Sequence, residues 1–222
     1  VGERVRIAAV LLGAFVVLPT AFAAAGADKE LQNVRGTVTY GAPGVAARPL
    51  AFSASVVLSD KNIASTGNAS LGALSLPDSS RILLGQNTRI QLGFFDQTDV
   101  ATAKFIIYNG KTRFSVQHPQ GEKANYIFDT PTAQIAVRGT DGDISVDTAD
   151  GMRLNVYHLG DANLPVTAIT IYGEKFTLHG GQKLWVRWQN GRIVGRQTKL
   201  SKTEINRFAE FGPPNTIDGG SP

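Results

Sequence analysis

Thr130-Pro131-Thr132-Ala133-Gln134-Ile135-Ala136-Val137-Arg138-Gly139-Thr140 is the stretch whose reading decides how this chain folds. Ile135 and Val137 alternate with small Ala136, the period-two pattern of a strand with one buried face. The run stops at Arg138-Gly139-Thr140, where glycine gives the backbone the freedom a tight turn needs. A buried strand entering a turn is the expectation.

The same rhythm continues in both directions. Upstream, strands are expected over 34–40, 63–67, 69–76, 82–84 and 88–95, with an irregular apolar stretch over 50–58 and a turn at Pro77-Asp78-Ser79-Ser80. Residues 103–108 and 112–117 flank Asn109-Gly110, the strongest short-range hairpin signal in the chain. Downstream, strands are expected over 143–146, 154–158, 168–172, 175–178 and 184–188. Turns at 149–151, Tyr172-Gly173, Gly180-Gly181 and Asn190-Gly191 separate them. Regular spacing of short strands predicts an all-β fold, an irregular β-solenoid or a two-sheet sandwich, with one short C-terminal helix. That helix falls at 201–211. Ser201 and Glu204 form a capping-box pair, and Phe208 and Phe211 are placed to pack on the β body.

The 222 residues suffice for one domain with a full core or two small ones. Arg4 and Arg6 precede an apolar run over 7–18, then Pro19 and an Ala21-Phe22-Ala23 cleavage pattern, with Ala23-Ala24-Ala25 as a second choice. Residues 1–25 therefore read as a signal peptide, and the mature chain as periplasmic with no membrane span. A helical span takes about 20 apolar residues, more than the run supplies; an uncleaved anchor is the alternative. The chain has no cysteine, so disulfides, thiolate chemistry and a lipoprotein cysteine are excluded. The net charge of +4 is uneven: residues 174–207 hold eight Lys or Arg against Glu174 and Glu204.

Taken in order, these segments resemble the FecR domain, a family named for the periplasmic regulator of ferric-citrate uptake. The resemblance rests on Val34-Arg35-Gly36-Thr37-Val38, Ile63-Ala64-Ser65-Thr66-Gly67, the run 74–84, Asn87-Thr88-Arg89-Ile90, Asn109-Gly110-Lys111-Thr112-Arg113-Phe114 and the block 130–140. It covers 30–148 as a FecR-like β domain, followed by continuing strands over 149–196 and the helix and tail over 197–222. In place of the family's D-G-S turn stands Asp78-Ser79-Ser80. Serine tolerates positive φ poorly, so a different turn type is expected there. The resemblance assigns a structural role to Thr130, Pro131, Val137, Arg138, Gly139 and Thr140. Arg138 is expected inside a buried turn, its five donors satisfying backbone carbonyls. Only six residues precede the apolar run, too few for the cytoplasmic anti-sigma segment of the family's transmembrane regulators. Direct control of a sigma factor by this polypeptide is therefore not expected.

No constellation for catalysis is present. His118, His158 and His179 lie in separate stretches, outside H-E-x-x-H or G-x-S-x-G motifs. No enzyme activity and no cofactor are expected. Asp141, Asp143, Asp147 and Asp150 lack EF-hand spacing and read as turn and solvent-facing residues rather than metal ligands. Trp185 and Trp188 sit among Lys183, Arg187, Arg192 and Arg196; in a strand, Trp185 and Arg187 share one face while Trp188 points to the other. Aromatics beside cations can stack on sugars or bind anionic polymers; export argues against nucleic acid. The expected function is a non-enzymatic sensor or protein-interaction module in envelope signalling. The alternative is a binder of carbohydrate or anionic polymer. An envelope protein or an anionic polysaccharide is the expected partner.

Overall fold

The computed structural model describes residues 29–118, 124–148, 152–160 and 163–212. The signal peptide at 1–25, the turn at 149–151 with Asp150, and the tail beyond 212 lie outside the described residues.

The strands are β1 (Lys29–Arg35), β2 (Val38–Gly41), β3 (Arg48–Leu50), β4 (Ser55–Leu58), β5 (Ile63–Thr66) and β6 (Leu71–Ser75). They continue as β7 (Arg81–Leu84), β8 (Arg89–Asp96), β9 (Thr102–Ser115), β10 (Asn125–Asp129), β11 (Ala133–Val137) and β12 (Asp141–Asp147). The last are β13 (Arg153–His158), β14 (Val166–Thr170), β15 (Lys175–Leu178), β16 (Gln182–Gln189) and β17 (Arg192–Lys199). The all-β expectation is met: these strands form one large mixed sheet that folds back on itself without closing.

Two faces result. Sheet I runs β4-β1-β6-β7-β9-β12-β13-β16-β17. Sheet II runs β3-β2-β5-β8-β9-β10-β11-β14-β15. Every pairing is antiparallel except β9 with β10. Past the first reversal at its edge, each sheet adds strands in chain order. The chain thus advances like a solenoid while its two sheets face each other like a sandwich.

The alternation read from sequence explains the packing. In β11, Ala133, Ile135 and Val137 are buried while Gln134 points outward. Apolar residues of both sheets share one cluster, from Leu31 to Ile193. Phe114 of sheet I stacks on Phe128 of sheet II with ring centroids 5.4 Å apart. Such contacts bury apolar area from both sheets at once, the dominant stabilising term.

Several local expectations are corrected. Asn109-Gly110 is not a hairpin: β9 is one 14-residue strand whose first part pairs in sheet II and whose second part pairs in sheet I. Gly110 has φ +99°, and a Cβ there would collide with the Thr88 backbone and hydroxyl. The dipeptide therefore turns the strand from one sheet into the other. The single strand expected over 34–40 is likewise split between β1 and β2 at Gly36. Ser79 adopts φ +68° despite its side chain, so the turn keeps the left-handed conformation a glycine would take. The final strand β17 runs to Lys199, past the 149–196 bound.

The C-terminal segment packs as expected from its spacing, in modified form. It is α1 (Lys202–Ile205) followed by a 3-10 segment (Asn206–Phe211), with the Ser201–Glu204 capping box present. Phe208 and Phe211 are buried against Ala73, Leu83 and Tyr157 on the outer face of sheet I.

Candidate functional site

The outer face of sheet I carries a polar and aromatic constellation, and strand register arranges it in rows. In β12, β13 and β16, core-facing Ile144, Val146, Leu154, Val156, Leu184 and Val186 alternate with outward residues. Pairing then aligns Lys111, Ser145, Asn155, Trp185 and Arg196 in a single row across five strands. The next row is Arg113, Asp143, Tyr157, Lys183 and Thr198.

The C-terminal segment lies over this second row as a strap. Glu204 pairs with Lys183. Phe208 meets Tyr157 edge-on at 5.0 Å. Lys111 Nζ donates to the Arg207 carbonyl at 3.0 Å and pairs with Glu210 at 3.3 Å. Glu210 also accepts from the Gln86 amide at 3.1 Å. Beneath the strap, Arg113 makes a two-point pair with Asp143, Nε to Oδ1 at 2.7 Å and Nη2 to Oδ2 at 2.9 Å. Its remaining Nη1 donates to the Gly212 carbonyl at 2.8 Å, and Phe211 covers the guanidinium. Both side chains are 1% exposed. Burial pushes the Asp143 carboxyl above its usual range, and the Arg113 bonds oppose that shift.

Asp143 is therefore no solvent-facing carboxylate; it is the buried partner of Arg113. Sequence spacing could not reveal this, because the two residues meet through the β9–β12 pairing and a strap from the far C-terminus. Among the described residues, no group of acidic and histidine side chains is arranged to hold a metal.

The strap and the first row together form a concavity of ≈ 220 Å³, lined by Lys111, Ser145, Asn155, Tyr157, Arg207 and Phe208. The Tyr157 hydroxyl is bonded by Arg207, yet burial outweighs that contact and raises its pKa. Of the residues singled out from sequence, Trp185 and Arg187 share this outer face, the guanidinium 5.0 Å from the indole centroid. Lys183 shares it too, but its Glu204 pair lies under the edge of the strap. Desolvation, with the like charge of Arg207, pulls its pKa below the ordinary lysine value. Arg192 is exposed on the same face, two register steps beyond the Trp185 pair. Trp188 points to the other side, partly buried against the core and 6.2 Å from Tyr172. Sequence reasoning placed Arg196 near the tryptophans but missed Lys111, Asn155 and Arg207 as companions; the aligning register is visible only once strands are paired.

The 130–140 block supplies an interior strand of sheet II, between β10 and β14, and the turns at its two ends. The Thr130 hydroxyl donates to the Ala133 carbonyl at 2.7 Å and accepts from the Ala133 amide at 3.1 Å. Pro131 is exposed at this turn, and Val137 is buried. Gly139, at φ +105°, passes so close to His118 that a side chain there would collide with the imidazole. The Thr140 carbonyl accepts from the Val116 amide at 3.1 Å. Arg138 corrects the expectation. It is exposed, and no hydrogen bond ties it to a described residue, because the corner is closed by backbone pairing and needs no guanidinium.

Facing sheets built from short strands in chain order, with a strap across one polar outer face, define an all-β module. Residues 62–158, from β5 to β13, match the family described as FecR protein. The match begins downstream of the Val34–Val38 element counted in the 30–148 resemblance. Two crystal structures of a Parabacteroides distasonis protein assigned as an anti-sigma factor share the fold. Each is 18% identical with a TM-score of 0.51, over 64% and 65% of this chain. This chain spans 62% and 64% of the length of those chains. Comparison with curated proteins gives no match.

Proposed function

We propose that the chain is a non-enzymatic FecR-type sensor or protein-interaction module that acts in envelope signalling from the periplasm. The single observation that carries this reading is the FecR match over 62–158. The shared fold with a protein assigned as an anti-sigma factor points the same way. A non-catalytic role fits the chemistry: the most buried ion pair, Arg113–Asp143, is sealed from solvent and from any substrate.

Affinity purification of the tagged full-length chain from the cell envelope tests the reading, read together with transcription after gene deletion. An outer-membrane receptor or inner-membrane regulator is expected in the eluate, and deletion should change expression of a sigma-factor-dependent gene set. Unchanged transcription under envelope stress and metal limitation would overturn the signalling role. Mass spectrometry of the exported protein is expected to give a new N-terminus near Ala24 or Gly26. An intact N-terminus would point to a retained anchor instead.

A further inference from the structure

We propose that the row Lys111-Ser145-Asn155-Trp185-Arg196 is the floor of a binding groove for an acidic glycan, a linear oligosaccharide bearing carboxylates. The proposal stands on the groove itself and is independent of the signalling reading.

Length comes first. The row crosses five hydrogen-bonded strands, and four inter-strand steps make about 19 Å. That suits a chain of several sugar units rather than one. The cross-section comes next. The strap raises one wall, Arg207 and Phe208, and the ≈ 220 Å³ concavity opens beside it over Ser145 and Asn155. Arg187 stands on the other side, in the row beyond Trp185.

The floor chemistry selects the ligand class. Ser145 and Asn155 offer a hydroxyl and an amide, which can both donate and accept, as sugar hydroxyls require. Trp185 is half-buried, with Leu184 and Val186 fixing its strand into the core, so it is held as a platform beside them. A flat indole surface suits the C–H face of a pyranose. Charge then selects the acidic form. The nearby carboxylates are engaged: Glu210 by Lys111, Glu204 by Lys183 and Asp143 by Arg113. Among the described residues, no carboxylate pairs with Arg187, Arg196 or Arg207. Three guanidiniums without a carboxylate partner thus line the groove, Arg207 and Arg187 at its sides and Arg196 at the end of its floor, each able to fork onto a carboxylate.

Isothermal titration of the full chain with tetragalacturonate, neutral cellotetraose and tetraglutamate tests this, at low and high salt. Tetragalacturonate is expected to bind, with cellotetraose and tetraglutamate each about tenfold weaker or more, and with affinity falling as salt rises. Trp185→Ala should weaken tetragalacturonate binding about tenfold, since aromatic stacking contributes roughly 1–3 kcal/mol. Arg196→Glu, on an exposed edge-strand position that leaves packing intact, should weaken it by at least as much. Arg89→Ala, on the opposite sheet, should leave it unchanged. Tetraglutamate binding as tightly as tetragalacturonate would overturn the proposal in favour of an acidic peptide. Binding that ignores both Trp185→Ala and Arg196→Glu would place the ligand elsewhere and overturn it as well.

Discussion

Ser79 and the Arg113–Asp143 pair show how single residues set local stability. Ser79 is exposed at φ +68°, held there because Asp78 accepts from the Ser80 amide at 3.0 Å, the Ser80 hydroxyl at 2.9 Å and the Tyr126 hydroxyl at 2.7 Å. A left-handed non-glycine residue costs about 1–2 kcal/mol, partly offset by the chain entropy glycine loses. Ser79→Gly is therefore expected to stabilise the protein by about 0.5–1 kcal/mol in chemical denaturation. Arg113→Met should do the opposite, costing about 3–5 kcal/mol by leaving a buried carboxylate unpaired. The double change Arg113→Met with Asp143→Leu should recover most of that loss. If the double variant is as unstable as the single one, the ion pair is not the cause. The pH dependence of the single variant follows from the same balance. Burial raises the Asp143 pKa and Arg113 opposes the rise, so removing Arg113 leaves the raising influence alone. A raised folded-state pKa gives a contribution that is full below the unfolded value, about 4, and lost as pH climbs through the folded one. The Arg113→Met deficit should be largest at neutral pH and shrink in mild acid.

At the scale of elements, the same dipeptide has two outcomes. Asn190-Gly191 makes the β16–β17 hairpin with φ of +50° and +76°, both residues left-handed as a tight two-residue turn requires. At Asn109-Gly110 only the glycine is left-handed, and β9 bends into the other sheet. Local sequence is nearly equivalent at the two sites. What differs is the partner: Thr88 presses on Gly110, its hydroxyl accepting from the Lys111 amide at 3.0 Å. Gly110→Ala is expected to cost about 2–3 kcal/mol, through a strained φ plus a backbone collision, read as a lowered unfolding midpoint. The strap is a separate element. Phe208→Ala should remove about 3 kcal/mol of packing and speed amide exchange through 202–212, while β8 and the first half of β9 keep their protection. Uniform loss of protection would show instead that the strap is integral to the core.

For the whole molecule, the advance of strands in chain order invites a stack whose ends could unfold separately. The core argues otherwise, since one apolar cluster joins both sheets and β9 belongs to each. A single cooperative transition is expected, with tryptophan fluorescence from Trp185 and Trp188 at the C-terminal end coinciding with far-UV circular dichroism. Separated transitions would mean that the end strands open independently.

Alternation and glycine placement were enough to read many of the strands, their all-β class, the strap's two phenylalanines and the shared face of Trp185 and Arg187. These are properties of neighbouring residues, which a period-two or helical pattern records directly. Register across strands is not such a property. It depends on which segments pair, so only the tertiary structure could align Lys111 with Arg196, bury Asp143 on Arg113 and leave Arg138 in solvent. The strands were legible because each is local. The groove was not, because it exists only where five of them meet the far end of the chain.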